Sequence, residues 1–119
     1  FAPAEAAALE AQAVAARSYT YSRLAEYLPR AQAEARAAQP FDLRDTVADQ
    51  VYGGADAERD ASDRAVRATA GLVLRYGGAV VSAPYYSACG GSTAEPGEVW
   101  QTGGAGEPFL RCVSDRVPG

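Results

Sequence analysis

The chain has 119 residues, of which 48% are hydrophobic and 22% charged, which is the composition of an ordinary globular domain. Fifteen Asp and Glu residues against eleven Arg and no Lys give a net charge of −4. This charge argues against nucleic acid as a partner, because such binding depends on cations that neutralise phosphates, and the scattered Arg residues give no indication of contact with a membrane.

The first predicted element is a long helix from Ala4 to Leu28, a segment rich in good helix formers. Pro3 suits its first turn, whereas Pro29 should end or kink it, since proline lacks the N–H and clashes with the preceding turn. Because the apolar stripe is mostly alanine, we expect close packing against a sheet. The residues of this stripe recur at helical spacing: Leu9, Ala13, Ala16, Thr20 and Leu24.

The middle of the chain changes character from Phe41 to Gly54, where apolar residues become sparse, and we predict an ordered loop with a short extended piece. Asp45 and Asp49 in this loop are candidates for ligand contacts, although Asp residues that cap turns explain the same pattern. Helical spacing returns from Asp60 to Ala70, which predicts a second helix.

A β-hairpin is predicted next, because Leu72 to Tyr76 and Ala79 to Ala83 flank the pair Gly77-Gly78. A last strand from Phe109 to Val113 is expected to join the sheet. Together these elements predict an α+β fold, in which a long N-terminal helix and a second helix pack on a small, mainly antiparallel sheet with long site-forming loops.

The two cysteines, Cys89 and Cys112, are compatible with a disulfide, two free thiols or part of a metal site. The metal site is the weakest of these alternatives, because the chain has no His and no C-x-x-C motif. We expect a Cys89–Cys112 disulfide, since the two segments should be neighbours in the sheet. Such a bond would persist in an oxidising, exported setting.

The segment from Tyr85 to Trp100 is predicted to be a site-forming loop, because it combines a Gly-Gly turn with hydroxyl groups and aromatic rings. Glu98 close to Trp100 matches a common sugar-binding arrangement, but a solvated Glu beside a half-buried Trp is the favoured explanation of the same pattern. Ser87 lies in a turn that resembles that of a nucleophile, yet a Ser-His-Asp mechanism is excluded because the chain has no His.

Five sequence blocks follow one another along nearly the whole chain: AQAVAARSY (11–19), DTVADQVYGG (45–54), AVRATAGLVLRYGGAVVSAPYYSACGGST (65–93), EVW (98–100) and PFLRCV (108–113). This series resembles the sporulation stage II protein D family, SpoIID/LytB. Five blocks in order make the resemblance much more specific than any single motif would.

The resemblance implies a peptidoglycan-acting domain of the lytic transglycosylase type, which cleaves between N-acetylmuramic acid and N-acetylglucosamine and leaves a 1,6-anhydro end. One carboxyl group is sufficient for this reaction, since it protonates the leaving oxygen and then helps the sugar's own 6-hydroxyl attack the anomeric carbon. Family members act outside the cytoplasm, so the expected location is extracytoplasmic and the expected partner is the glycan strand. No cofactor or metal is expected, although some members are said to hold zinc with Cys and His.

The positions that match the family's motifs carry over as expected substrate contacts. Arg17 has a structural alternative as an anchor of the first helix, and Tyr52 has one as a core residue. The expected contacts are Gln12 and Arg17 on the helix, Gln50 and Tyr52 in the middle loop, and Tyr85, Ser87 and Thr93 in the last block.

The resemblance implies that the catalytic acid is a Glu in an E-M-P-like segment just before the long helix. Neither Glu5 nor Glu10 matches that motif. We therefore expect residues 1–119 to be one SpoIID-type domain without its N-terminal portion, and the catalytic residue stays unknown. The alternative is a non-catalytic glycan-binding module that localises or activates a partner cell-wall amidase, as the LytB side of the family suggests.

Overall fold

The computed structural model describes residues 3–34, 41–86, 90–100 and 107–115, and it describes the side chains of the first helix from Glu5 to Ala25. The chain divides into two compact units, Phe1–Tyr85 and Tyr86–Gly119. Helices and a two-stranded antiparallel sheet occur together, which confirms the predicted α+β class. The elements are α1 (Pro3–Glu34), a 3-10 turn (Ala55–Ala57), α2 (Asp60–Ala68), β1 (Arg75–Tyr76), β2 (Ala79–Val80) and α3 (Pro96–Val99). That the whole chain is one domain stays a prediction.

Helix α1 begins at Pro3 and continues past Pro29, so of the two predicted effects of this proline, an end or a kink, the end does not occur. The helix continues to Glu34 and is 32 residues long. A proline removes one backbone donor from the helical ladder, and helix-forming residues on both sides allow the ladder to resume. In the described part of the chain, no helix is both long enough and apolar enough to cross a membrane.

The predicted apolar stripe of α1 is half-buried along its length. Helix α1 as a whole packs mainly against α2 and touches β2 to a smaller extent. The expectation that this helix packs on a sheet is therefore corrected. Small side chains let the two helices approach closely, but they bury little area, and the apolar core of the described residues consists of Ala65, Val81 and Ala83.

Helix α2 carries charges that suit its dipole, with Asp60 and Asp63 in the first turn and Arg67 in the last. Its inner face buries Ala65 and Thr69. The Thr69 hydroxyl donates to the Ala65 carbonyl at 2.8 Å, and this bond satisfies the side chain within the helix. The helix predicted for residues 60–70 is thus confirmed, with its last turn loosening after Ala68.

The predicted hairpin is confirmed, although each strand has only two residues. Tyr76 pairs with Ala79 in the antiparallel register, and one more bond joins the Val81 N–H to the Leu74 carbonyl at 3.0 Å. Gly77 and Gly78 have φ values of 57° and 86°. A two-residue turn with positive φ at both positions matches the twist of the strands, and glycine adopts it without steric cost.

In the second unit, the prediction that Phe109–Val113 forms a strand of the sheet is wrong, because residues 109–113 contain no strand. Two of their backbone donors bind side chains, and the Leu110 N–H donates to the Glu107 carbonyl at 2.9 Å. The Cys112 N–H donates to the Glu95 carboxylate at 2.9 Å, and the Val113 N–H donates to the Thr93 hydroxyl at 2.8 Å. A single antiparallel bridge between Ser92 and Ser114 replaces the expected ladder.

Cys112 is exposed in the second unit. Its predicted partner, Cys89, lies outside the described residues. The disulfide between them therefore stays a prediction.

Candidate functional site

Three closely spaced residues of α1 form hydrogen bonds with different parts of the first unit. Each residue turns the helix by roughly 100°, so Arg17, Ser18 and Thr20 point in different directions. Arg17 reaches the end of α2, Ser18 reaches the chain just before β1, and Thr20 reaches the middle loop. The motif Arg-Ser-Tyr-Thr therefore positions three elements around one stretch of helix.

Arg17 binds the C-terminal end of α2. Its guanidinium donates to the carbonyls of Thr69 at 2.6 Å, Leu72 at 2.9 Å and Val66 at 3.2 Å. The last carbonyls of a helix lack partners within the helix, and a cation there also complements the dipole. The structural alternative for Arg17 accounts for these contacts, and its role as a substrate contact stays a prediction.

Ser18 is completely buried. Its hydroxyl donates to the Val14 carbonyl at 2.6 Å, one helical turn earlier, and accepts a hydrogen bond from the Leu74 N–H at 2.9 Å. Because a buried polar group is costly unless it is paired, this double role fixes the start of the hairpin against α1.

Gln50 joins the middle loop to α1. Its side-chain amide nitrogen donates to the Ala16 carbonyl at 3.2 Å and to the Thr20 hydroxyl. The Thr20 hydroxyl itself donates to the Ala16 carbonyl at 3.0 Å. The amide oxygen of Gln50 accepts a hydrogen bond of 2.6 Å from the Tyr85 hydroxyl. One glutamine thus connects the first, second and third sequence blocks.

We call the side chains of Tyr19, Thr20, Gln50 and Tyr85 the Gln50 cluster. Tyr85 is 40% exposed, so the cluster opens to the surface. Burial raises the pKa of Tyr85 above its ordinary value near 10, and the neighbouring Tyr19 adds to the increase. Tyr85 therefore stays uncharged throughout the physiological pH range.

Gln12 is exposed on α1 and lies one turn before Ala16. Residues four apart occupy the same face of a helix, about 6 Å along its axis, so Gln12 extends the face that carries the Gln50 cluster. Two of the predicted substrate contacts on different elements, Gln50 and Tyr85, are thus in direct contact, and a third lies on the adjoining turn.

The middle loop is held in place by Asp49. Its carboxylate accepts a hydrogen bond of 2.9 Å from the Arg44 N–H within the loop and forms an ion pair of 3.4 Å with Arg23 on α1. This is the capping role that was the structural alternative for Asp49. The ion pair lies beside Gln50 in sequence and holds the same segment against the helix.

Tyr52 points to a different partner from that of Gln50. Its hydroxyl donates to the Glu58 carboxylate at 2.8 Å, and the ring is 55% exposed, so Tyr52 is not a core residue. This hydrogen bond raises the pKa of Tyr52, and smaller contributions come from burial and from the charges of Glu58 and Asp63. Among the hydrogen bonds described, Tyr52 has its own network beside the 3-10 turn.

The second unit contains Thr93, whose hydroxyl donates to the Arg111 carbonyl at 3.1 Å and binds the backbone of the last segment. Glu98 and Glu95 form a capping box at the start of α3, in which the Glu98 carboxylate accepts from the Glu95 N–H at 3.2 Å. Glu98 is therefore a helix cap with a 47% exposed Trp100 near it in sequence. Ser87, another predicted contact, lies outside the described residues.

Metal-binding side chains are not assembled in the described ranges, since no three His, Cys, Asp or Glu residues come together there. The chemistry available at the Gln50 cluster is instead that of an amide, hydroxyl groups and aromatic rings.

Sequence reasoning missed the role of Thr20 and of Tyr19. Thr20 was assigned only to the packed stripe of α1, yet its hydroxyl orients Gln50. The available signal was a hydroxyl on an otherwise apolar stripe, because a half-buried polar group requires a partner.

Comparison with known proteins identifies the family. The model of the SpoIID family, described as stage II sporulation protein, matches residues 2–76. The chain is 37% identical over 108 residues to the amidase enhancer of Bacillus subtilis (strain 168), a match that covers 91% of this chain and 13% of that relative. The chain thus spans about one eighth of the length of this curated relative. No solved structure matches this chain.

Proposed function

This chain belongs to the SpoIID family, and from that premise we propose that it binds the glycan strands of peptidoglycan outside the cytoplasm. We place the binding surface at the Gln50 cluster and the adjoining Gln12. The observation that carries the proposal is the hydrogen bond from Tyr85 to Gln50, because it brings residues from separate family blocks to one exposed face of α1.

The chemistry of the cluster suits a sugar. Its side chains are uncharged at neutral pH, and they combine aromatic rings with a few fixed hydrogen-bonding groups. Sugar rings offer an apolar face and many hydroxyl groups, and sites for neutral ligands fix their orientation with a small number of placed polar groups. We assign Gln12 to a contact with a neighbouring sugar of the same glycan strand.

Enhancement of an amidase is the finer role that we propose for this binding. The printed name of the Bacillus subtilis relative is amidase enhancer, and the match to it covers 91% of this chain. A domain that holds a glycan strand would raise the concentration of a bound cell-wall amidase near its substrate. We propose this role for the protein that contains this chain.

Cleavage of the glycan strand by the lytic transglycosylase reaction is the second candidate, favoured by the five ordered sequence blocks. It requires a carboxyl group that can protonate the glycosidic oxygen. Three described carboxylates have structural partners, since Asp49 pairs with Arg23, Glu58 accepts from Tyr52, and Glu98 caps α3. If the protein cleaves glycan strands, the catalytic acid is the Glu that the family carries before the long helix.

Sedimentation with purified peptidoglycan tests the proposed binding. We expect Tyr85→Ala to weaken binding about thirtyfold, because it removes a ring and a hydroxyl that each contribute on the order of 1 kcal/mol. Tyr21→Ala is the matched control, since Tyr21 is 54% exposed on α1 and lies roughly 200° around the helix from Tyr19. It should change binding less than twofold. Equal binding by wild type and Tyr85→Ala would contradict the site.

The soluble products of the same incubations separate the two finer roles. Release of 1,6-anhydro fragments by the protein that contains this chain, without an added amidase, would support cleavage. Faster release of stem peptides only when a cell-wall amidase is added would support enhancement. If neither product changes although the protein sediments with peptidoglycan, the protein binds glycan without either role.

A further inference from the structure

We propose that Tyr85 presents a hydrogen-bond acceptor to the glycan, and that Thr20 is the positioning residue that fixes this polarity. The inference rests on the proposed function and adds to it the kind of sugar group that contacts Tyr85. It follows from the direction of each hydrogen bond in the Gln50 cluster.

The first step is the Ala16 carbonyl, which can only accept hydrogen bonds. It lies 3.2 Å from the amide nitrogen of Gln50 and 3.0 Å from the hydroxyl oxygen of Thr20. Both groups must therefore donate to it. This requirement sets the orientation of the Gln50 amide, because exchanging its nitrogen and oxygen would place two acceptors together.

The second step is the bond between Gln50 and Thr20. The Thr20 hydroxyl has given its single hydrogen to Ala16, so it accepts from the second hydrogen of the Gln50 amide nitrogen. Both amide hydrogens of Gln50 are then in use. Only the amide oxygen remains for Tyr85, and an oxygen with no hydrogen can only accept.

The third step concerns Tyr85, which must donate its one hydrogen to Gln50 across 2.6 Å. What the Tyr85 hydroxyl has left is a lone pair, and the side chain is 40% exposed. A ligand can satisfy that lone pair only with an O–H or N–H group. Sugar hydroxyls and the acetamide N–H qualify, whereas ring oxygens, glycosidic oxygens and acetamide carbonyls do not.

Thr20 is essential to this arrangement because the terminal torsion angle of glutamine has a broad distribution, so the amide plane rotates easily unless hydrogen bonds hold it. With its hydroxyl removed, Gln50 keeps the bond to Ala16 but loses the second contact that holds the amide plane. The amide then rotates more freely, and Tyr85 no longer has a fixed acceptor for its hydrogen. Thr20 acts through Gln50 and Tyr85 rather than by touching the glycan.

A double-mutant cycle with chitotetraose, measured by calorimetry on the full chain, tests the coupling. We expect Tyr85→Phe to weaken binding about tenfold and Thr20→Val about fivefold, as befits single hydrogen bonds. The double variant should bind no more weakly than Tyr85→Phe, since Thr20 acts only through that hydroxyl. Thr20→Ser, which keeps the hydroxyl, should stay within twofold of wild type.

Independent losses that multiply to about fiftyfold in the double variant would overturn the role of Thr20. A Thr20→Ser variant as weak as Thr20→Val would overturn it as well. Thermal melting of each variant identifies any that unfold, and for those the cycle is repeated below the melting transition, where the folded fraction is the binding species.

Polarity is tested by introducing 4-aminophenylalanine at position 85. An amino group can still donate to Gln50, but it presents a second hydrogen instead of a lone pair to the ligand. Binding of chitotetraose should fall at least as far as in Tyr85→Phe. Binding equal to or tighter than wild type would overturn the acceptor assignment while leaving the glycan site in place, whereas a wild-type protein that binds neither chitotetraose nor peptidoglycan would overturn the proposed function itself.

Discussion

Arg17→Ala should lower the free energy of unfolding by about 3 kcal/mol, the largest effect we expect from a single substitution. The guanidinium donates to three backbone carbonyls, those of Val66, Thr69 and Leu72. Alanine leaves these carbonyls at the end of α2 without that donor. It also removes hydrogen bonds that join α1 to the element against which it mainly packs.

Urea unfolding measures this effect, with Arg64→Ala as the control. Arg64 is exposed on α2, so its removal should change the free energy of unfolding by less than about 0.5 kcal/mol. Arg17→Lys should recover only part of the loss, because an ammonium cannot reach carbonyls in three directions as a planar guanidinium does. Equal stability of Arg17→Ala and Arg64→Ala would refute the anchoring role.

Ser18→Ala should lower the free energy of unfolding by about 2 kcal/mol. The hydroxyl of this fully buried residue accepts from the Leu74 N–H, and alanine would leave that donor unpaired beside α1. The cost arises from the orphaned backbone group and not from lost volume, since serine and alanine are close in size.

Ser62→Ala is the matched control for Ser18. Its hydroxyl also donates to a backbone carbonyl, that of Arg59 at 2.8 Å, but in an exposed position where water can replace it. We expect a change below about 1 kcal/mol, measured by the same urea unfolding. If both serine variants lose the same stability, burial is not the reason that Ser18 matters.

These two anchors also explain how the proposed binding surface is built. Arg17 fixes α1 against α2, and Ser18 fixes it against the hairpin, whose chain continues to Tyr85. With α1 held on two sides, its Ala16 and Thr20 turn is available to Gln50. The anchors therefore shape the Gln50 cluster without belonging to it.

Elements that depend on local chemistry were predictable from the sequence. The hairpin follows from Gly77-Gly78 between two apolar runs, and both glycines have the positive φ that this turn requires. Helix α2 follows from its spacing and from acidic residues in its first turn. The α1 helix was predicted too, but its end was not, because proline lowers helix stability without forbidding continuation.

Elements that depend on distant side chains were not predictable in the same way. Phe109–Val113 has the composition of a strand, yet the Cys112 and Val113 N–H groups donate to the side chains of Glu95 and Thr93 rather than to a neighbouring strand. The pattern of apolar residues contains no information about such partners. For the same reason, Thr20 was predicted only to pack on the helix stripe, because its partner Gln50 lies thirty residues further along the chain.

The candidate site was predictable in part. The family resemblance identified Gln50 and Tyr85, and the structure places them in direct contact. Arg17 and Tyr52 came from the same resemblance, but their described contacts are with the end of α2 and with Glu58. Motifs identify candidate residues, whereas the contacts within the fold depend on partners that are distant in sequence; the role of all four residues as substrate contacts stays a prediction.

Chemical-shift mapping on the isotope-labelled full chain tests the central claim most directly. On titration with chitotetraose, we expect the largest shifts at the side-chain amides of Gln50 and Gln12, at the backbone of Ala16 and Thr20, and at Tyr85. The hairpin turn at Gly77 should stay unchanged. Shifts concentrated at the hairpin, with the Gln50 amide unmoved at saturating glycan, would contradict the proposed site.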